Sequence, residues 1–259
     1  MSSLLLVVLS FAFAATSLAI KERIVGGQVG AIADFKYGAV IRLKGAESPH
    51  CGATVIGPNF LLSAAHCFVD KANKTVDKDK YEVLTDTEDL KKPVNVNLID
   101  ELIFQTGSSA FDPKTMRNDV VLIRSKSIRG RNPASLPSVS TDYTGKSANV
   151  SGFGSTTSAV EKLPPKLHYV TVKVLQDSRC SSVYEFYDKK TNLCAGSNDG
   201  GHDSCQGDSG GPLVISSGSK HTLIGVVSYG KGCAREKYPG VYSRVTAFLH
   251  FIKAHVGRA

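Results

Sequence analysis

Short apolar runs broken by Gly, Pro, Asn and Asp dominate the chain beyond residue 36. The runs are Tyr37–Leu43, Cys51–Ile56, Phe60–Ser63, Tyr81–Leu84, Val94–Phe104 and Val120–Arg124. They resume at Ala148–Phe153, Val170–Leu175, Pro212–Ile215, Leu223–Tyr229 and Val241–Val245. Runs of this length, rich in β-branched residues and bounded by turn formers, predict strands of an all-β barrel or sandwich. Helical spacing occurs once. Phe248, Phe251, Ile252 and His255 fall at i, i+3, i+4 and i+7, which predicts a C-terminal helix over 246–256 packed on the strands. The polar, Pro-containing stretch Ser125–Thr141 divides the runs, so two β-units with a cleft between them are expected.

The first residues follow another pattern. Leu4 to Ala15 are nearly all apolar or small, too few to span a bilayer comfortably. Small residues at Ser17 and Ala19 then suit a signal peptidase, so residues 1–19 are expected to be a removed secretory leader. No Lys or Arg precedes the apolar run, which leaves the α-amino group as its positive end. No later stretch reads as a membrane helix, and the product is expected to be secreted. Six cysteines, none in a C-x-x-C pair, suit an oxidising compartment, and fifteen pairings of them are open. The formal net charge of +8 is scattered as singles and pairs, a solvated surface rather than a nucleic-acid footprint.

Candidate chemistry centres on Gly207-Asp208-Ser209-Gly210-Gly211-Pro212, a Gly-rich turn holding one serine. A serine hydroxyl is a poor nucleophile unless a base lies beside it and donors await the developing negative charge. Ser63-Ala64-Ala65-His66-Cys67 places an imidazole just after an apolar strand. Asn118-Asp119-Val120-Val121-Leu122-Ile123 puts a carboxylate at the head of another, where it could fix the tautomer of a neighbouring imidazole. Near the N-terminus Arg23 is followed by Ile24-Val25-Gly26-Gly27. A basic-specific protease cutting Arg23–Ile24 would free an apolar N-terminus with two glycines of slack behind it.

With His66, Asp119 and Ser209 in that order, and with I-V-G-G, S-A-A-H-C, N-D-V-V-L-I, D-S-C-Q-G-D-S-G-G-P, V-S-Y-G and P-G-V-Y, the chain from residue 24 onward resembles trypsin-like serine proteases of the chymotrypsin family. The resemblance implies two antiparallel six-stranded β-barrels packed face to face, with a C-terminal helix. The first would span about 24–130 and the second about 131–245. Residues 20–23 would be an activation propeptide. His66, Asp119 and Ser209 would be the catalytic groups, the N–H groups of Gly207 and Ser209 the oxyanion hole, and Ser228 a hydrogen-bond partner near Asp119. Asp208 would pair with the ammonium freed at Ile24. The implied disulfides are Cys51–Cys67, Cys180–Cys194 and Cys205–Cys233. No cofactor or metal is implied.

The resemblance also carries specificity. Asp203 stands where trypsin-like members hold the carboxylate at the base of the primary pocket. Gly230 and Gly240 match the glycines that leave its walls open, and Tyr242 lies near its floor. Cleavage after Arg or Lys is implied, by a monomer acting on proteins or peptides and meeting proteinaceous inhibitors, with no nucleic-acid or membrane partner. The chain departs from the family in having no tryptophan: Phe153 and Tyr229 stand where one is usual. Tyr229 lines the groove, so broader chymotryptic or collagenolytic specificity is an alternative, and a non-catalytic binding homologue a further one. Asp77, Asp79 and Glu82 do not match an assignable calcium site. Asn73-Lys74-Thr75 is a glycosylation sequon in a polar loop; Asn149-Val150-Ser151 is another, inside an expected strand.

Overall fold

A computed structural model describes residues 26–70, 72–126, 128, 132–155, 163–197 and 199–257. The expected leader over 1–19 and the expected propeptide over 20–23, with Ile24, lie outside them. The strands are β1 (Gln28–Val29), β2 (Gly38–Leu43), β3 (Cys51–Gly57), β4 (Phe60–Ser63), β5 (Tyr81–Thr85), β6 (Asn95–Leu98), β7 (Glu101–Phe104) and β8 (Val121–Arg124). They continue with β9 (Ser147–Gly152), β10 (His168–Val174), β11 (Asn192–Gly196), β12 (Pro212–Ser217), β13 (Lys220–Tyr229) and β14 (Gly240–Arg244). Two helices complete the chain, α1 (Asp177–Ser181) and α2 (Leu249–Val256).

Every ladder is antiparallel. The second sheet runs β1-β10-β11-β14-β13-β12-β9, and an added β9–β10 ladder closes six of its strands into a barrel. The interior of that barrel follows from the period-2 pattern of β10, where His168, Val170, Val172 and Val174 point inward and Thr171 and Lys173 outward. Val150, Leu193, Ala195, Leu213, Ile224 and Tyr242 fill the rest. Each such valine or leucine contributes about 1.5–3 kcal/mol by leaving water.

The first sheet runs β6-β5-β2-β3-β4-β8-β7 and forms the other expected unit as a curled half-barrel. It curls until its edges are β6 and β7, and no ladder joins them among the described residues. The physical reason lies in the run Val94–Phe104, which does not form one strand. It bends at Ile99-Asp100, giving its first half to β5 and its second to β8. One segment thus serves as both edges, and the chain itself bridges the seam. The architecture remains that of the chymotrypsin fold.

β3 is buried at all seven positions because the curled sheet lies on one side and the closed barrel on the other. Gly52 N donates to Ser209 O at 2.7 Å across that junction. Residues 132–135, part of the stretch read as a linker, also tie the two sheets. Ala134 N donates to Val55 O, and Ser135 exchanges bonds with His221 and Leu223. At the C-terminus, a single 3-10 turn, Val245–Phe248, precedes α2. Val245, Phe248, Leu249 and Ile252 are buried among first-sheet residues such as Phe60 and Leu61, so the last helix crosses back to the first unit. Phe251 and His255 are only partly buried, and the inward stripe is rotated from the expected one.

Candidate active site

The geometry of His66 and Asp119 is dictated by strand register. Ser63, the last residue of β4, pairs with Val121, the first of β8. In an antiparallel pair those ends are neighbours. The chain therefore leaves β4 toward His66, three residues on, at the edge where Asp119 enters β8. His66 sits in the 3-10 turn Ala65–Phe68, pinned by the Cys51–Cys67 disulfide. Asp119 follows Asn118, whose φ of 56° places it in the left-handed region that Asn tolerates.

Asp119 is fully buried and its oxygens are satisfied. Oδ2 accepts from His66 Nδ1 at 2.7 Å and from Ser228 Oγ at 2.5 Å, while Oδ1 accepts from the His66 backbone N–H at 2.9 Å. Ser243 Oγ donates to the Asp119 carbonyl at 2.8 Å. Ser228 reaches across because β13 is irregular between Val227 and Tyr229, where its register against β14 shifts. A bulge of this kind re-aims one side chain. Burial works to push the Asp119 carboxyl up, but the charge and hydrogen bonds of His66 and the Ser228 hydroxyl hold it below the usual carboxylate value. Burial likewise pushes His66 down, and the Asp119 carboxylate more than offsets it, leaving the ring above its ordinary 6.5.

Ser209 comes from the second sheet, in the loop before β12. Besides the Gly52 bond, its carbonyl faces Cys67 Sγ at 3.8 Å, so the serine and His66 loops are in contact. Among the described residues the bonds of the His66 ring are with Asp119, and the Ser209 hydroxyl is not closed onto the ring. Such bonds are often long in unliganded sites and tighten when substrate arrives.

The serine loop folds on itself through Asp208 N to Cys205 O and Gly211 N to Asp208 O, and Gly210 N donates to Val227 O. The N–H groups of Gly207 and Ser209 take no partner among the described residues. Gly207 has a φ of 97°, and a Cβ there would come within 3.0 Å of the Gly154 backbone. Only glycine allows this bend without strain. Two free N–H groups beside a hydroxyl can receive an oxyanion.

Asp208 points away from the cleft and is 1% exposed. Its carboxylate accepts from Gly154 N and Cys205 N, each at 2.9 Å. No described cation faces it, and burial pushes the carboxyl up to about 6.

Beyond Ser209 a cavity of about 210 Å³ opens, lined by Asp203, Ser204, Ser209, Tyr229, Gly230 and Gly240 among others. Asp203, 3% exposed, accepts from Ala234 N at 3.1 Å, and Ser204 Oγ lies 3.5 Å from it. Burial is the main influence on its carboxyl, which is pushed up to about 7. A Cβ on Gly240 would sit 2.9 Å from Asp203 Oδ1, so any side chain there would block the cavity's charged end. A Cβ on Gly230 would find ordinary contacts at 3.5 Å and beyond, so its smallness matters only to an occupant. Tyr242 is buried beneath, its hydroxyl 3.3 Å from Ser204 Oγ.

Sequence reasoning missed Tyr184. It receives Lys231 N at 3.2 Å, donates to Pro239 O at 2.7 Å, and stacks edge-on against Tyr229 at 5.6 Å. One side chain thus braces both walls of the cavity, and it lies in an irregular stretch with no periodic signal. The three disulfides pair as the resemblance implies. Among the described residues the one cluster with metal-ligand atoms is Cys51, His66 and Cys67, and its two sulfurs are bonded to each other. Asp77, Asp79 and Glu82 do not converge: Glu82 pairs with Arg42 at 2.7 Å and Asp79 with Lys78. No helix among the described residues is long and apolar enough to cross a membrane.

A family model described as Trypsin matches residues 24–252. That span contains both sheets and every residue of the cleft, and the chain belongs to the trypsin family of chymotrypsin-fold serine proteases.

Proposed function

We propose that the protein is a secreted endopeptidase that cuts after Arg or Lys and is made as a zymogen activated at Arg23–Ile24. Ser209 attacks the scissile carbonyl while His66 takes its proton and later delivers it to the leaving amine. Asp119, held by Ser228, keeps Nδ1 protonated and stabilises the imidazolium. The N–H groups of Gly207 and Ser209 receive the oxyanion.

The observation that carries the specificity is the buried carboxylate of Asp203 at the closed end of the cavity, with no described cation beside it. An unpaired buried charge is costly, and a substrate guanidinium or ammonium relieves that cost. Activation rests on the same reasoning at Asp208. An ammonium freed at Ile24 would neutralise it and hold the 205–209 loop in the shape described. The leader over 1–19, the propeptide over 20–23 and the peptidase domain over 24–259, with its units divided near residue 130, belong to this reading. The three disulfides agree with an extracellular home.

Cleavage-site profiling of the processed enzyme against a peptide library tests the specificity. Arg and Lys before the cut are expected. A library cut mainly after aromatic or small residues would replace this reading by the broader specificity that Tyr229 raises. Ser209→Ala is expected to lower kcat by on the order of 10⁶. A wild-type enzyme that takes no fluorophosphonate label at Ser209 would instead identify a binding homologue.

A further inference from the structure

We infer that the chain carries an N-linked glycan on Asn73 and none on Asn149. The inference rests on the secretion proposed above. Both asparagines head an N-x-Ser/Thr sequon, the pattern the glycosylating enzyme of the secretory pathway reads.

The fold separates the two. Asn73 is exposed at the tip of a tight turn that closes between Val69 and Thr75. Asp70 organises that turn: its N–H bonds Lys74 O, its carbonyl accepts Asn73 N, and its Oδ1 accepts the N–H groups of Ala72 and Lys74. Asn73 has a φ of 57°, the left-handed conformation of a turn tip. Lys74 and Thr75, which complete the sequon, are exposed too. A bulky sugar added at Nδ2 therefore displaces no packed atom.

Asn149 lies inside β9, between β10 and β12, opposite Thr171 on one side and Val214 on the other. Its Oδ1 accepts from Thr171 Oγ1 at 2.8 Å. The rest of its sequon is enclosed, Val150 at 0% and Ser151 at 3% exposure. Asn149 itself is half-exposed on the outer face of β9, but its amide is engaged by Thr171 in the middle of a three-strand ladder, so a sugar there must displace that contact, and secreted, folded molecules are expected to carry none. Asn73 is also near the chemistry. Counting the 3-10 turn, the Val69–Thr75 bridge and two further residues, it stands within roughly 20 Å of His66.

The test is to express the full chain, as Ser209→Ala to prevent self-digestion, with its own leader in eukaryotic secretory cells. Protein from the medium is digested with peptide N-glycosidase in heavy-oxygen water and its peptides weighed. One glycan per chain is expected, with the heavy-oxygen Asp mark at position 73 and unmarked Asn at 149. Asn73→Gln and Thr75→Ala are expected to reduce the glycan count from one to none. Thr75→Ser and Asn149→Gln are expected to keep it at one. A secreted, leader-free chain unmarked at 73 overturns the inference and leaves secretion standing, and a mark at 149 overturns it as well. A chain retained in the cytosol with residues 1–19 attached removes the secretion reading and the inference with it.

Discussion

At the scale of single residues, the contest is between burial and charge. Asp119 and Asp203 are both buried carboxylates, yet their acidities move in opposite directions. Asp119 has an imidazole at 2.7 Å and a hydroxyl at 2.5 Å; Asp203 has the backbone N–H groups of Ala234 and Ser204 and a serine hydroxyl at 3.5 Å, with no cationic partner among the described residues. The two carboxyls therefore shape the pH profile differently. Catalysis needs neutral His66, so kcat/KM should rise with pH along a limb centred above 6.5. Asp119→Asn should move that limb downward and cut kcat by on the order of 10⁴. KM for an Arg substrate should separately fall as pH rises through about 7, where Asp203 in the empty pocket ionises. A neutral substrate should lack this second effect, and steady-state kinetics on paired Arg and citrulline esters read both. Asp203→Ser should lower kcat/KM for Arg and Lys esters by on the order of 10²–10³ through loss of a desolvated charge pair. Labelling of Ser209 by fluorophosphonate should persist in that variant.

At the scale of elements, the disulfides differ by what they hold more than by what they stabilise. Cys51–Cys67 spans 16 residues and Cys205–Cys233 spans 28. Loop-closure entropy differs by only about 0.5 kcal/mol between such loops. Removing either as a pair of alanines should destabilise by about 2–5 kcal/mol, seen as a lower denaturant midpoint. The functional losses should diverge. Cys205–Cys233 joins two walls of the Asp203 cavity, so its loss should raise KM for basic substrates. Cys51–Cys67 fixes the turn that carries His66, so its loss should fall on kcat.

Element boundaries show what pattern alone conveys. The β10 alternation is legible because one face is wet. Asn192–Gly196 is not, because all five positions of β11 are buried and nothing alternates. The division of Val94–Phe104 into β6 and β7 was equally hidden. Its residues suit a strand throughout, and only the need to serve two neighbours bends it. Among candidate site residues, His66, Asp119, Ser209 and Asp203 stood out through their motifs, whereas Tyr184 and the Gly154 N–H did not. Those two act through positions brought close by folding.

At the scale of the whole molecule, the proposed activation at Arg23–Ile24 would make Asp208 a link between processing and stability. Its folded-state acidity constant, about 6, lies above the ordinary 3.8. A group raised in this way contributes stability that is full below 3.8 and lost as pH rises through about 6. In the uncut chain the loss should be on the order of 3 kcal/mol. Once Ile24 is free, its ammonium should remove or reverse it. Denaturant midpoints for uncut Arg23→Gln/Ser209→Ala protein, compared with processed Ser209→Ala protein between pH 4 and 7, check this. The uncut form should lose more stability across that range than the processed form, in which Asp203 still ionises toward about 7 and Asp208 no longer contributes.

What the residue order settled is the kind of chemistry and the kind of sheet. Motifs fix which side chains carry reactive atoms, and alternation fixes which face of a strand leaves water. Tertiary structure alone decided that Ser63 stands opposite Val121 and that β3 bonds the serine loop. It alone decided that one sheet closes while the other curls around a bent segment. Such outcomes depend on register and on contacts between residues tens or hundreds of positions apart, and no local pattern encodes those distances.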